Sequence, residues 1–229
     1  MINKYTYELH SHTAESSGCA NVFAAESYAL HESAGFDGMV ITDHFVPDWN
    51  GKFGSTHEEQ AENYAKGYYN AKAVAREGFT VMFGLEFRFC NGPEEYLGND
   101  YLVFGITPEM LRAEKNIGSY DRGQFREFAD RNGLLVIQAH PFRSMCNPDR
   151  TPGFLDGVEV YNGHPGHDSK NGLALEFGKE VGGIMTSGSD FHEKHMLARG
   201  GIATDFPIRS ERELVEVLKS GLFQLMRAE

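Results

Sequence analysis

Three cysteines in 229 residues, Cys19, Cys90 and Cys146, are too few and too scattered for a disulfide framework, and no C-x-x-C pair marks a structural zinc site. Basic residues are also scarce: 21 Lys and Arg stand against 33 Asp and Glu, a formal net charge of −12. That balance excludes non-specific coating of nucleic acid through a basic face. No apolar run is long enough to cross a bilayer, and the opening MINKYTYELH lacks the apolar core of a secretory signal. The expectation is a cytoplasmic protein with no membrane partner. Repeats, low-complexity tracts and dividing linkers are missing too, so one domain spanning 1–229 is expected. Nothing in the sequence sets an oligomeric state.

The chain does hold ten histidines and enough apolar residues, 41%, for a sizeable core. Strand-like and helix-like segments alternate along it. Strands are expected at Tyr5–His10, Gly38–Thr42, Thr80–Leu85, Tyr101–Ile106, Leu134–Gln138, Gly157–Tyr161 and Ile184–Ser187, with a last one at Leu222–Met226. Helices are expected at Val22–Ser33, from Ser55 or Thr56 to about Glu77, and at Gln124–Asn132, Leu173–Val181 and Leu214–Lys219. Gly35, Gly78, Gly133 and Gly182 stop the first four, and Ser210 with Glu213 caps the last. Loops are expected at Phe45–Gly54, Asn91–Asn99 and Ser144–Pro152. This alternation implies parallel pairing with right-handed crossovers, and about seven units suggest a barrel rather than an open sheet.

Several of these strands end in groups able to bind metal. The first ends His10-Ser11-His12, and residues i and i+2 of a strand face one side. The second ends Thr42-Asp43-His44, the third Gly84-Leu85-Glu86 and the fifth Ala139-His140-Pro141. The sixth carries Glu159, and the seventh ends Ser189-Asp190-Phe191-His192, which repeats the i, i+2 spacing. In a parallel barrel all strand C-termini meet at one mouth, so these scattered residues would converge. Unrelated buried polar groups would each need a separate explanation.

The ordered set H-x-H, T-D-H, G-x-E, H-P and S-D-x-H resembles the PHP family (polymerase and histidinol phosphatase), from His10 to at least Thr204. The resemblance implies a distorted (β/α)7 TIM-like barrel with a metal site at the strand C-termini. His10, His12, Glu86 and Asp190 would hold one metal. Glu86 would bridge to a second, also held by His140, and His44 with His192 would hold a third. Two or three divalent ions, Zn, Mn or Fe, suit such donors. The chain departs from the family twice. Ser17 stands where the family's first loop has Asp, which leaves the third ion weak, absent, or completed by Glu15 or water. The run Asn99–Gly105 has no histidine where many members carry one, which opens the second site. A centre of one or two ions therefore remains open.

Arg143, three residues after His140, would bind a phosphate bidentately, against the alternative of a surface salt bridge. Arg88, two after Glu86, has the same two readings, and Arg199 and Lys170 are weaker candidates. Asp43 and Glu159 are expected to orient ligands rather than to bind metal. His164 and His167 are mouth residues or solvated loop residues, His57 and His195 solvated, and His31 an ordinary helix residue. Trp49 and Tyr161 stack a substrate ring or pack. The function expected is hydrolysis of a small phosphate ester, of the sugar phosphate, nucleotide or histidinol phosphate type, by a metal-activated water. His192 or His44, if free of metal, would protonate the leaving group. The alternatives are a metal-dependent C–N hydrolase of the amidohydrolase type and a non-catalytic module with structural metal.

Overall fold

The first strand, β1 (Tyr5–Ser11), runs beside β2 (Gly38–Ile41), and helix α1 (Ala24–Ser33) crosses between them. The computed structural model describes residues 4–46, 54–89 and 98–228, so Trp49, Cys90 and most of the loop expected at Asn91–Asn99 lie outside the described residues. The remaining strands are β3 (His44–Phe45), β4 (Thr80–Phe83), β5 (Leu85–Phe87), β6 (Tyr101–Phe104), β7 (Leu135–Gln138), β8 (Gly157–Asn162), β9 (Ile184–Gly188), β10 (Gly200–Thr204) and β11 (Gln224–Arg227). They form two mixed sheets, ordered β11-β10-β1-β2-β4 and β3-β5-β6-β7-β8-β9. A parallel bridge between Ser11 and Phe191 links the end of β1 to the segment after β9.

Uniformly parallel pairing does not hold. β6 is antiparallel to both β5 and β7, and β10 is antiparallel to β1 and β11. No helix among the described residues lies between β5 and β6, and without a crossover a strand returns antiparallel. This reversal puts the start of β6, not its end, on the side where its neighbours finish. The segment at β10 carried no expected strand, because its two leading glycines mask it.

The helix expected from Ser55 or Thr56 to Glu77 is two helices, α2 (His57–Tyr64) and α3 (Lys66–Val74). Ser16 Oγ donates to the Tyr64 carbonyl (2.9 Å) at the break, and a hydroxyl inserted into the ladder is a recognised cause of kinks. Thr56, not Ser55, forms the capping box with Glu59. A short helix, α4 (Pro108–Ala113), was not expected, although Thr107 as cap and Pro108 at the first position are its usual start signals. The later helices α5 (Arg122–Asn132), α6 (Asn171–Val181) and α7 (Glu211–Ser220) end at Gly133, Gly182 and Gly221, each left-handed.

Tyr7, Leu9, Val40, Met82, Leu102, Ile137 and Ile202 form one buried apolar cluster drawn from six strands of both sheets. A second, aromatic-rich cluster packs α1–α5 onto the strands. Among the described residues no helix is long and apolar enough to cross a membrane.

His31 of α1 is fully buried, its Nδ1 donating to the Ser27 carbonyl (2.8 Å) and its ring edge-on to Phe36 and Phe191. Burial pushes its pKa down from 6.5 to about 4. The unfolded chain therefore takes up this proton first, and stability falls as pH drops through that window. His31→Gln should remove about 2–3 kcal/mol of the acid-side loss, read as the pH dependence of urea midpoints for the two proteins.

Candidate metal centre

The site begins with a bulge in β1. Glu8 Oε1 accepts the backbone N–H groups of Leu9 (3.0 Å), His10 (2.9 Å) and Ser189 (2.9 Å), and the register against β2 shifts between Glu8 and Ser11. A carboxylate thus replaces ladder partners and ties β1 to the residue before Asp190. The tie continues as Phe191 N–H donates to the His10 carbonyl and His12 N–H to the Phe191 carbonyl.

The seven residues expected to bind metal lie together. Glu86 of β5 faces four imidazoles: Oε1 is 3.2 Å from His10 Nε2 and 3.0 Å from His140 Nε2, and Oε2 is 3.6 Å from His12 Nε2 and 2.5 Å from His44 Nδ1. Asp190 Oδ1 lies 3.4 Å from His10 Nε2, 3.3 Å from His12 Nε2 and 3.4 Å from His192 Nδ1. Donors around one ion at ~2.1 Å bonds sit about 3.4 Å apart in tetrahedral geometry, which matches this spacing. Buried His10 Nε2, His12 Nε2, Glu86 Oε2 and Asp190 Oδ1 have no well-formed hydrogen bond, although they face one another across a few ångströms. Residues reachable by one ion fall into four groups: His10/His12/Glu86, His10/His140/Asp190, Glu86/Asp100/His140 and His12/His44/His192.

Asp100 went unrecognised in the sequence. It immediately precedes β6, and because β6 runs backwards this start faces the cluster, 3.9 Å from His140 Nε2. It occupies the region where a fourth-strand histidine was missing. Arg88 grips it bidentately at 2.6 and 2.7 Å, so this guanidinium is engaged by a carboxylate of the protein itself rather than offered to a phosphate. Arg143 Nη1 donates to Asp190 Oδ2 (3.1 Å) and its Nη2 lies 3.6 Å from Asp100, leaving it at the edge of the cluster and partly exposed.

Glu159 does not face the centre of the cluster. Its Oε1 accepts from His10 Nδ1 (2.8 Å), which turns the other ring nitrogen inward, and its Oε2 accepts from the His140 N–H and from Asn162 Nδ2. Asp43 accepts from Thr13 and from Ser17 Oγ, and that hydroxyl lies 3.4 Å from His12 Nδ1. His140 and Asp190 both have positive φ, 27° and 52°, where non-glycine residues are strained and which cluster at functional sites.

Four carboxylates, Glu86, Asp100, Glu159 and Asp190, are fully buried against two guanidiniums, Arg88 and Arg143. Two negative charges are left over, a costly burial unless protons or cations offset them. Burial opposes charging of His10, yet Asp190, Glu159 and Glu86 raise it well above its ordinary value. His140 is pushed up to about 10: burial and Arg143 lower it, while Cys146 and Glu86 outweigh them. His12 goes the other way, held well below 6.5 by burial and by neighbouring His192 and His44, so it keeps a lone pair. A divalent ion fits all three residues. Bound there, it would offset the buried negative charge, with the lone pair of His12 available as a donor.

Of the remaining histidines, His164 and His167 stack on each other at 4.5 Å, with His164 5.7 Å from the His192 ring, and so belong to the mouth. His57 bonds the Leu111 carbonyl instead of water alone, and His195 is exposed. Arg199 bonds the Gly163 carbonyl, and Tyr161 bonds the Ala228 carbonyl beneath Arg227, so both are packing elements. Cys19, exposed in the loop after His12, has its thiol drawn down to about 6: partial burial raises it, and the neighbouring His192 and His44 imidazoles outweigh that.

Solved structures share this architecture. PsfC from Pseudomonas syringae is similar over 99% of this chain and 93% of its own, at 12% identity and a TM-score of 0.69. A protein from Bifidobacterium adolescentis, provisionally named a metal-dependent phosphoesterase, is similar over 93% of this chain and 95% of its own, at 14% identity and a TM-score of 0.53. An amidohydrolase from Chromobacterium violaceum, solved with sulfate and no metal, is similar over 96% and 97%, at 14% identity and a TM-score of 0.56. At such identities the likeness is one of fold. No protein-family profile and no curated protein matches the chain.

Gly188, at the end of β9, leaves no room for a side chain: a Cβ there would lie 2.4 Å from His10 Cβ and 2.8 Å from Glu159 Oε1. Gly188→Ala should therefore cost about 1–3 kcal/mol in urea unfolding through overpacking.

Proposed function

We propose that this chain is a single-domain, cytoplasmic, metal-dependent phosphoesterase of the PHP type on a distorted (β/α)7 barrel. The observation that carries the reading is the convergence of His10, His12, His44, Glu86, His140, Asp190 and His192 on one cluster in which several buried ligand atoms have no hydrogen-bond partner. His10, His12, Glu86 and Asp190 would hold one ion, Glu86 and His140 a second with Asp100 beside them, and His44 and His192 a third. Zn, Mn or Fe ions would supply Lewis-acid stabilisation of a phosphoryl group and an activated water. Glu159 keeps the His10 tautomer that aims Nε2 inward. Arg143, held by Asp190 at the rim, presents its remaining N–H groups to the non-reacting phosphoryl oxygens. His192 has its Nδ1 fixed on the Asp190 carbonyl (2.8 Å), and it or His44, where free of metal, holds a proton for the leaving alkoxide. The substrate class is a small phosphorylated molecule rather than a nucleic acid, since a net charge of −12 offers no basic face to a polyanion.

With Mn or Zn the protein should hydrolyse p-nitrophenyl phosphate, and His10→Ala or Asp190→Ala should reduce turnover to background with the fold retained by circular dichroism. Arg143→Ala should lower kcat/KM about 10- to 100-fold, the worth of a charged hydrogen bond pair. Turnover of amides in place of phosphate esters would move the reading to a C–N hydrolase, and inertness toward both would leave a structural metal module. Glu159→Gln should weaken metal binding about 10- to 100-fold in chelator competition, as loss of a ligand-orienting carboxylate does.

A further inference from the structure

Glu86, Asp100 and His140 come from three separate segments, and two of those segments meet at one side chain outside the cluster, Cys146. Residues 140–146 form two successive turns. Arg143 N–H donates to the His140 carbonyl (3.0 Å) and Cys146 N–H to the Arg143 carbonyl (2.9 Å). Met145 is left-handed, φ 72°, yet its side chain is exposed, so no packing of its own accounts for the strain. The bend returns Cys146 to the residue that opens the loop: Sγ lies 3.7 Å from His140 Nδ1 and 3.0 Å from the Gly98 carbonyl oxygen. Beside it, Asn147 N–H donates to Asn99 Oδ1 (2.8 Å). Gly98 is also left-handed, φ 85°, and a Cβ there would lie 3.2 Å from the Met145 carbonyl oxygen. Residues 98–99, which lead into Asp100, are thus clamped against residues 145–147.

The direction of the two sulfur bonds follows from counting hydrogens. A carbonyl only accepts, so the single thiol hydrogen goes to Gly98. Toward His140 the sulfur is left as an acceptor, and Nδ1 carries a hydrogen. Nε2 is then the ring atom turned to Glu86 Oε1 (3.0 Å) and Asp100 Oδ2 (3.9 Å), free to offer its lone pair once an ion is bound. We propose that Cys146 is a positioning residue for the ion that Glu86, Asp100 and His140 would share: it fixes the His140 ring from behind and anchors the segment that delivers Asp100. The same two turns carry Arg143, so the guanidinium at the rim is set by the same anchor.

This role rests on the metal reading above, and the test separates the two. Metal-free wild type, Cys146→Ala and Cys146→Ser are loaded with zinc, and their folding is compared by circular dichroism. Zinc retention is measured against a chelator, and nitrogen–proton correlation spectra of the imidazole rings locate the hydrogen of His140. In zinc-loaded wild type that hydrogen should sit on Nδ1, with the metal on Nε2. Cys146→Ala should lose the Nδ1–H signal to solvent exchange and hold one equivalent of zinc about 10- to 100-fold more weakly, as loss of a partner behind a ligand does. Cys146→Ser, whose hydroxyl can make both bonds, should recover the signal and most of the affinity. A wild type that takes up no zinc overturns the metal reading and this one with it. Zinc held equally well by Cys146→Ala, a Cys146→Ser variant that recovers neither readout, or a His140 hydrogen on Nε2 in wild type overturns the Cys146 role alone. Should Cys146→Ala not fold, the wild-type and Cys146→Ser results decide. Inertness toward phosphate esters beside the expected zinc and ring results would overturn the phosphoesterase reading and support Cys146 as assigned.

Discussion

One buried carboxylate, Glu86, stands among four imidazoles, and the arrangement of the site follows from keeping those rings in place. Three rings are secured from their far sides. Glu159 holds His10, a Ser17 hydroxyl lies behind His12, and the Asp190 carbonyl takes Nδ1 of His192. A ring fastened at one nitrogen has only the other to offer, so the inward aim of these nitrogens is a product of their surroundings. Desolvation and charge then act in opposite directions on neighbouring rings, raising His10 and lowering His12.

The backbone bears part of the cost. His140 and Asp190 lie just beyond their strands in left-handed conformations, which carry their side chains back over the rim. Such strain persists only when the surroundings over-determine it. Here Glu159 grips the His140 N–H, and Asn162 bonds both Glu159 and Asp190.

Most of the cluster could be read from the chain because its donors sit at strand ends in short motifs, HSH, TDH, AHP and SDFH. Their side-chain spacing is set by strand geometry alone. Asp100 could not be read, because strand direction leaves no trace in hydrophobic periodicity, and only the reversal of β6 brings that residue to the mouth. Of the two readings Arg88 carried, phosphate binder or salt bridge, the carboxylate partner of the second is this same Asp100. The break between α2 and α3 was hidden because its cause, the Ser16 hydroxyl, lies 48 residues away.

Glu8 reaches the Ser189 N–H across 181 positions, and both strands flanking that contact carry site residues. A ribosome must therefore deliver the 181 positions from Glu8 to Ser189 before His10 and His12 acquire their geometry. Until then His10 and His12 belong to a nascent segment with no fixed neighbour from β9. The two imidazoles and their β9 neighbours thus come into register only through a contact made late relative to the synthesis of β1.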